Sequence, residues 1–114
     1  MVKVYGIKNC DSVRKAVKFL KEHQIAYEFI DFRSTPVTCS AVHAWLEKAD
    51  ISALFNTRGT TYRSLKLKEM SLNDEEKAHW LCKENMLIKR PVIEYGDKVL
   101  VGFDQNNYER ELLS

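Results

Sequence analysis

Cys10, Cys39 and Cys82 are the side chains in this sequence best suited to nucleophilic or redox chemistry. The thiolate is the reactive form, so the question for each is what would stabilise it. Cys10 follows a strand-like segment and opens a helical one. There the unpaired N–H groups and partial positive charge of a helix N-terminus favour a thiolate, and Arg14 and Lys15 lie one turn on. The alternative is a small buried hydrophobe, common for a free cysteine. Cys39 also stands near a helix start, after Thr38, and is read as incidental. Cys82 shares a helix face with Ala78 and Leu81 and is read as core. Three is an odd number with wide spacing, no Cys-x-x-Cys occurs, and no disulfide framework is expected. No His stands at zinc-finger spacing from a cysteine, so no metal site is expected. His23, His43 and His79 read as solvated surface residues.

Two arginines sit in contexts suited to anions. Arg58 lies in Asn56-Thr57-Arg58-Gly59-Thr60-Thr61, a loop of small polar groups that can present N–H and hydroxyl donors beside a bidentate guanidinium. The alternative is a solvated surface loop. Arg90 precedes Pro91 where a helical region gives way to a strand. That peptide bond is either cis, as X-Pro bonds alone routinely allow, or an ordinary trans proline at a strand entrance.

The elements that must position these groups follow from periodicity. Val2 and Val4 alternate with Met1 and Lys3, a short strand that ends at Gly6. Asn9, Asp11 and Ser12 are candidate helix caps. Val13, Ala16, Val17 and Leu20 then mark one helix face, reaching about His23. Residues 26–32 are aromatic and β-branched, a second strand. Strand, helix and strand within about 30 residues suit a right-handed parallel crossover. Val42, Trp45, Leu46 and Ala49 predict a helix capped by Thr38. A short helix is expected over 62–70 and another from Asp74. Val92 to Tyr95 and Val99 to Val101 flank a Gly96-Asp97 turn, a hairpin, and residues 108–113 close the chain as a helix. The expected architecture is α/β. A mixed sheet of order β-α-β … β-β-α carries helices on both faces, with a helical insertion over about 33–87 between core segments 1–32 and 88–114 of one domain spanning 1–114.

The chain has 114 residues, 18 Lys plus Arg against 16 Asp plus Glu, and 45% hydrophobic residues. That is the size and balance of one globular domain. A net charge of +2 is too small to argue for a nucleic-acid partner, and no apolar run approaches the length of a membrane span. The first residues lack the apolar core of a secretory signal, so a reducing cytoplasm is the expected compartment.

Three ordered motifs together resemble a known superfamily. Gly6-Ile7-Lys8-Asn9-Cys10-Asp11-Ser12-Val13-Arg14-Lys15-Ala16 resembles the N-terminal signature of the ArsC/Spx proteins, and within them the YffB/YusI-like branch. Asn56-Thr57-Arg58-Gly59-Thr60-Thr61-Tyr62-Arg63 and Ile88-Lys89-Arg90-Pro91-Val92-Ile93 resemble the branch's second and third signatures, and Gly102-Phe103 fits the segment after the hairpin. The resemblance implies a thioredoxin-like fold, a nucleophilic Cys10 and a cis Pro91 facing the thiol. Arg58 and Arg90 match positions that handle the oxyanion in arsenate reductases, and Asn9 and Arg14 beside Cys10 complete the expected anion-binding set. It further implies a monothiol oxidoreductase that holds no bound cofactor, uses glutathione or another small thiol as co-substrate, and works with glutaredoxin as a partner. Gly6 stands where glutaredoxin-linked arsenate reductases begin a His-Asn-Pro stretch, and Gly102-Phe103-Asp104 lacks their third arginine. Both departures argue against arsenate itself as substrate. The alternative is an Spx-like regulator that binds RNA polymerase, although Val13 replaces the second cysteine of the usual Spx dithiol.

Overall fold

The computed structural model describes residues 1–113. The chain divides into two compact units, Met1–Thr35 with Arg90–Ser114, and Pro36–Lys89.

The first unit carries a four-stranded sheet of order β2-β1-β3-β4, with β1 Val2–Gly6, β2 Tyr27–Asp31, β3 Val92–Tyr95 and β4 Lys98–Val101. β1 runs parallel to β2, with Val4 opposite Phe29, and antiparallel to β3, with Val4 opposite Ile93. β3 and β4 form the antiparallel hairpin, Ile93 opposite Leu100. With α1 (Asp11–Glu22) between β1 and β2, and α6 (Gln105–Leu112) after β4, this is the thioredoxin-like β-α-β … β-β-α arrangement.

Side-chain alternation along the strands places Val2, Val4, Ile93 and Leu100 on one face. Ala16, Phe19 and Leu20 of α1 and Tyr108 and Leu112 of α6 pack with them into a single buried cluster. Within this unit both helices therefore cover the same face of the sheet. Phe19 is buried, whereas the predicted face residue Val17 is only half-buried. The Phe19 ring meets Tyr108 edge-on, its centroid 5.5 Å away. Helix α6 starts at Gln105 rather than at Tyr108 because the Asp104 side chain accepts from the Asn107 N–H. The buried Tyr108 hydroxyl donates to the Gly102 carbonyl at 2.6 Å, and burial raises its pKa. Tyr108→Phe leaves that carbonyl short of a donor and is expected to cost about 1–2 kcal/mol in denaturant unfolding.

Tyr5 offers a pH handle on the same sheet. Its hydroxyl donates to Glu94 Oε1 at 3.0 Å, and burial, then the Glu94 charge, push its pKa up to about 12 from 10.0. The folded state holds this proton more tightly than the unfolded chain does. The associated stability is complete below pH 10 and is lost between pH 10 and 12. Tyr5→Phe is expected to flatten that part of the pH–stability curve relative to wild type, measured by urea unfolding across the window.

The second unit is helical: α2 Cys39–Leu46, α3 Ile51–Leu54, α4 Thr60–Ser64, α5 Asp74–Lys83, and 3₁₀ turns at Leu67–Met70 and Asn85–Leu87. Thr38 caps α2 through the Ala41 N–H. Asn73 and Glu76 form a reciprocal capping box on α5. The single helix expected over 62–70 is two pieces, because Lys66 adopts a left-handed φ of 55° that no helix continues through.

Candidate functional site

Cys10 is the N-cap residue of α1 and is half-buried. Its carbonyl accepts the first helical bond from Arg14 N at 3.0 Å, and no side chain caps this helix. Asn9, Asp11 and Ser12 do not serve as caps, since the helix begins one residue after Cys10 with Asp11 already inside it. Cys10 therefore stands at the N-cap without a side-chain capping bond, next to a first helical turn whose N–H groups lack intrahelical partners.

What brings the helix start this close to the sheet is Gly6. A Cβ built on Gly6 would lie 2.7 Å from Val13 Cγ2. Val13 is buried at 3% exposure. A helix turn beneath Cys10 is thus filled by an apolar side chain locked against a glycine at the end of β1. Gly6→Ala forces the Cys10-bearing turn off the strand. Overpacking of this kind costs about 1–3 kcal/mol, to be read from chemical denaturation.

Arg14 forms an ion pair with Asp11 on the exposed side of this first turn. Its charge is shared with a carboxylate, so it contributes less to the field at the thiol than a lone guanidinium would. Asn9 is exposed. A groove of about 570 Å³ runs between α1 and the edge strand β2. Val17, Tyr27 and Phe29 line it with Lys8, Arg14 and Lys18, so an apolar floor carries a basic rim that starts on either side of Cys10 in the chain.

Pro91 lies at the same end of the sheet. Tyr5 pairs with Val92, so the residues that follow β1 and precede β3 are neighbours at that end. The Arg90–Pro91 peptide bond is cis, Pro91 is buried, and its carbonyl accepts from Gly102 N at 2.8 Å. Gly102 has φ 76°, a left-handed conformation that glycine adopts without a Cβ clash. Arg90 is half-buried.

Cys10, Asn9, Arg14, Arg90 and Pro91 thus belong to the first unit, at one end of its sheet. Arg58 belongs to the second. Its N–H donates to Asn56 Oδ1 at 3.1 Å, and its carbonyl accepts from Arg63 Nη1 at 3.1 Å, so the backbone of the loop is held while the Arg58 residue stays exposed.

The ArsC family pattern matches residues 5–110, nearly the whole chain. The chain belongs to the ArsC family. Its relatives include the uncharacterized protein YusI of Bacillus subtilis, 37% identical over 92% of each chain. Another is the global transcriptional regulator Spx of Listeria monocytogenes, 27% identical over 98% of this chain and 87% of that one. Among solved structures, the YFFB protein superposes with a TM-score of 0.90 at 32% identity, covering 98% of this chain and 99% of that chain. A possible arsenate reductase from Streptococcus mutans superposes with a TM-score of 0.78 at 32% identity over 92% of each. This ArsC-family kinship covers the YffB/YusI-like branch that the three motifs resembled.

The other two cysteines correct the sequence reading. Cys39 and Cys82 form a disulfide, with Cα atoms 4.9 Å apart and a sequence separation of 43. The expectation that Cys82 is core and Cys39 incidental fails on geometry. On α5 it is Leu81 that is fully buried, and the next residue, about 100° further round, lies half-exposed. His43, read as a solvated residue, has a ring nitrogen within 4.8 Å of both sulfurs. Cys39 and His43 are one turn apart on α2, an i, i+4 spacing that brings two ligand types to one helix face and that the expectation of no metal site passed over. Cys82 joins them only through the packing of α5.

Proposed function

We propose that this ArsC-family chain is a monothiol oxidoreductase that uses glutathione, with Cys10 as its nucleophile. The observation that carries the reading is the setting of Cys10. It is the free cysteine of the chain, at the N-cap of α1 and at the sheet end that bears the cis proline. The buried Val13 leaves no second thiol in that turn. Such a thiol needs its resolving partner from solution.

The chemistry is a pair of thiol–disulfide exchanges. The Cys10 thiolate attacks the glutathione sulfur of a mixed disulfide R–S–S–G. The Cys10–S–S–G bond forms, and R–S⁻ leaves and takes up a proton. A second glutathione thiolate then attacks the glutathione sulfur on Cys10, releasing glutathione disulfide and regenerating the Cys10 thiolate. Across the cycle the mixed disulfide R–S–S–G is reduced to the R-thiol, one free glutathione is consumed, and it leaves joined to the substrate's glutathionyl group as glutathione disulfide. Arg90 and the basic rim formed by Lys8, Arg14 and Lys18 supply positive charge for the glutathione carboxylates. Glutaredoxin is the protein partner consistent with such an adduct. Oxidised glutathione added to the protein is expected to leave one glutathione on the peptide that contains Cys10, read by mass spectrometry. An unmodified Cys10 under those conditions would overturn the proposal.

A regulatory reading draws on kinship with Spx over 98% of this chain. It requires capture of RNA polymerase, and a pull-down with the C-terminal domain of the polymerase alpha subunit separates the two: retention supports the regulator, and its absence removes it.

A further inference from the structure

Outside the Cys10 site, the second unit gathers three soft or borderline ligand atoms from two helices. The sulfurs of Cys39 and Cys82 and a ring nitrogen of His43 all lie within 4.8 Å of one another. The positions are braced from behind. Thr38 caps α2 immediately before Cys39. Asn85, just after α5, accepts from Val37 N at 2.8 Å and donates to the Leu81 carbonyl at 3.0 Å. The backbones on either side of the cluster are therefore joined by hydrogen bonds as well as by the disulfide. Cys39 and His43 are exposed and Cys82 is half-exposed, so metal ions and small thiols reach the site.

We propose that Cys39, His43 and Cys82 form a redox-gated metal site of the zinc class. In the oxidised state the two sulfurs are bonded to each other and offer no thiolate. Reduction by two equivalents of a small thiol gives two cysteine thiols and one molecule of the small-thiol disulfide, and two electrons pass to the protein. A divalent zinc-class ion then displaces the two thiol protons and binds two thiolates and one neutral imidazole. Three protein ligands with the fourth position open to water match a site that exchanges its ion rather than a closed structural centre. Two thiolates and an imidazole select a borderline-soft ion such as zinc over magnesium or calcium, which take oxygen ligands. Re-oxidation by a disulfide of the glutathione class expels the ion, forms the sulfur–sulfur bond and leaves two reduced small thiols. The site is independent of the Cys10 chemistry.

Cobalt(II) is the probe, because thiolate ligation gives it a charge-transfer absorption that oxygen or imidazole ligation alone does not. The full chain carrying Cys10→Ser, fully reduced and then freed of reductant without air, is expected to bind one cobalt(II) with that absorption and to lose it to zinc(II). The oxidised chain is expected to show none. Cys82→Ser, in the same background, is expected to lose most of the absorption. His43→Ala keeps some thiolate absorption, with binding weakened tenfold or more. Absence of the absorption in the reduced chain would overturn the proposal, as would equal intensity in the oxidised chain or in Cys82→Ser. Circular dichroism on each sample confirms that loss of binding is not loss of fold.

Discussion

Cys10→Ser is expected to abolish glutathione-dependent disulfide reduction, by on the order of 10³-fold or more, while leaving the protein folded. The size follows from losing the nucleophile: what survives is binding alone. Serine has nearly the shape of cysteine, but its hydroxyl is not ionised near neutral pH and forms no mixed disulfide. The fold is spared for a specific reason. Cys10 is an N-cap with no side-chain capping bond, and serine is among the preferred residues there. The variant should match or slightly exceed wild type in thermal stability. The check is turnover of a small mixed disulfide with glutathione, alongside a melting curve. Activity close to wild type in a folded Cys10→Ser protein would sink the enzyme reading. Cys39→Ser with Cys82→Ser is the companion control and is expected to keep turnover, since neither residue enters the exchange at Cys10.

Reduction of Cys39–Cys82 is the change expected to cost the most stability. The bridge closes a loop across 43 residues and ties α2 to α5. Restricting the unfolded chain over a loop of that length is worth about 4 kcal/mol on the chain-entropy account, and native disulfides typically contribute about 2–4 kcal/mol. Urea unfolding followed by circular dichroism, with and without a phosphine reductant, reads the difference. A chelator in both samples keeps metal binding from masking it. The reduced protein is expected to unfold at distinctly lower urea, and the Cys39→Ser, Cys82→Ser double variant should behave like reduced wild type with or without reductant. Identical midpoints in all samples would show that the bridge adds nothing. The two predictions separate cleanly: Cys10→Ser removes chemistry and keeps stability, whereas opening the bridge removes stability and leaves the Cys10 chemistry intact.

The strands and helices were legible because their signals are local. Period-2 alternation in Val2 and Val4, period-3.6 spacing from Val13 to Leu20 and the Gly96-Asp97 turn each act within a few residues. The boundaries that moved did so for equally local reasons that are harder to rank from sequence. Asp104 outcompeted later residues as the cap of α6, and Lys66 broke one expected helix in two. The placement of Cys10 at a strand–helix junction was likewise readable in the chain, as was the order of the motifs that contain Gly6, Arg58 and Arg90-Pro91. Gly6 shows the boundary of that reading. Its place before Cys10 was visible, but its contact with Val13 was not.

By itself, then, the sequence determined the order of the elements, the cysteine that opens a helix, and membership of the ArsC family, all carried by local spacing and ordered motifs. Only the tertiary structure decided which cysteines meet. A disulfide is set by distance between Cα atoms and by the direction of the side chains, not by spacing along the chain. Cys39 and Cys82 are brought to 4.9 Å by α2 packing on α5, and His43 arrives beside them because it lies one turn beyond Cys39. An odd count of thiols reads in sequence as one nucleophile and two bystanders. Packing turns the bystanders into a bonded pair, because residues 43 apart become neighbours only when the helices that carry them fold together.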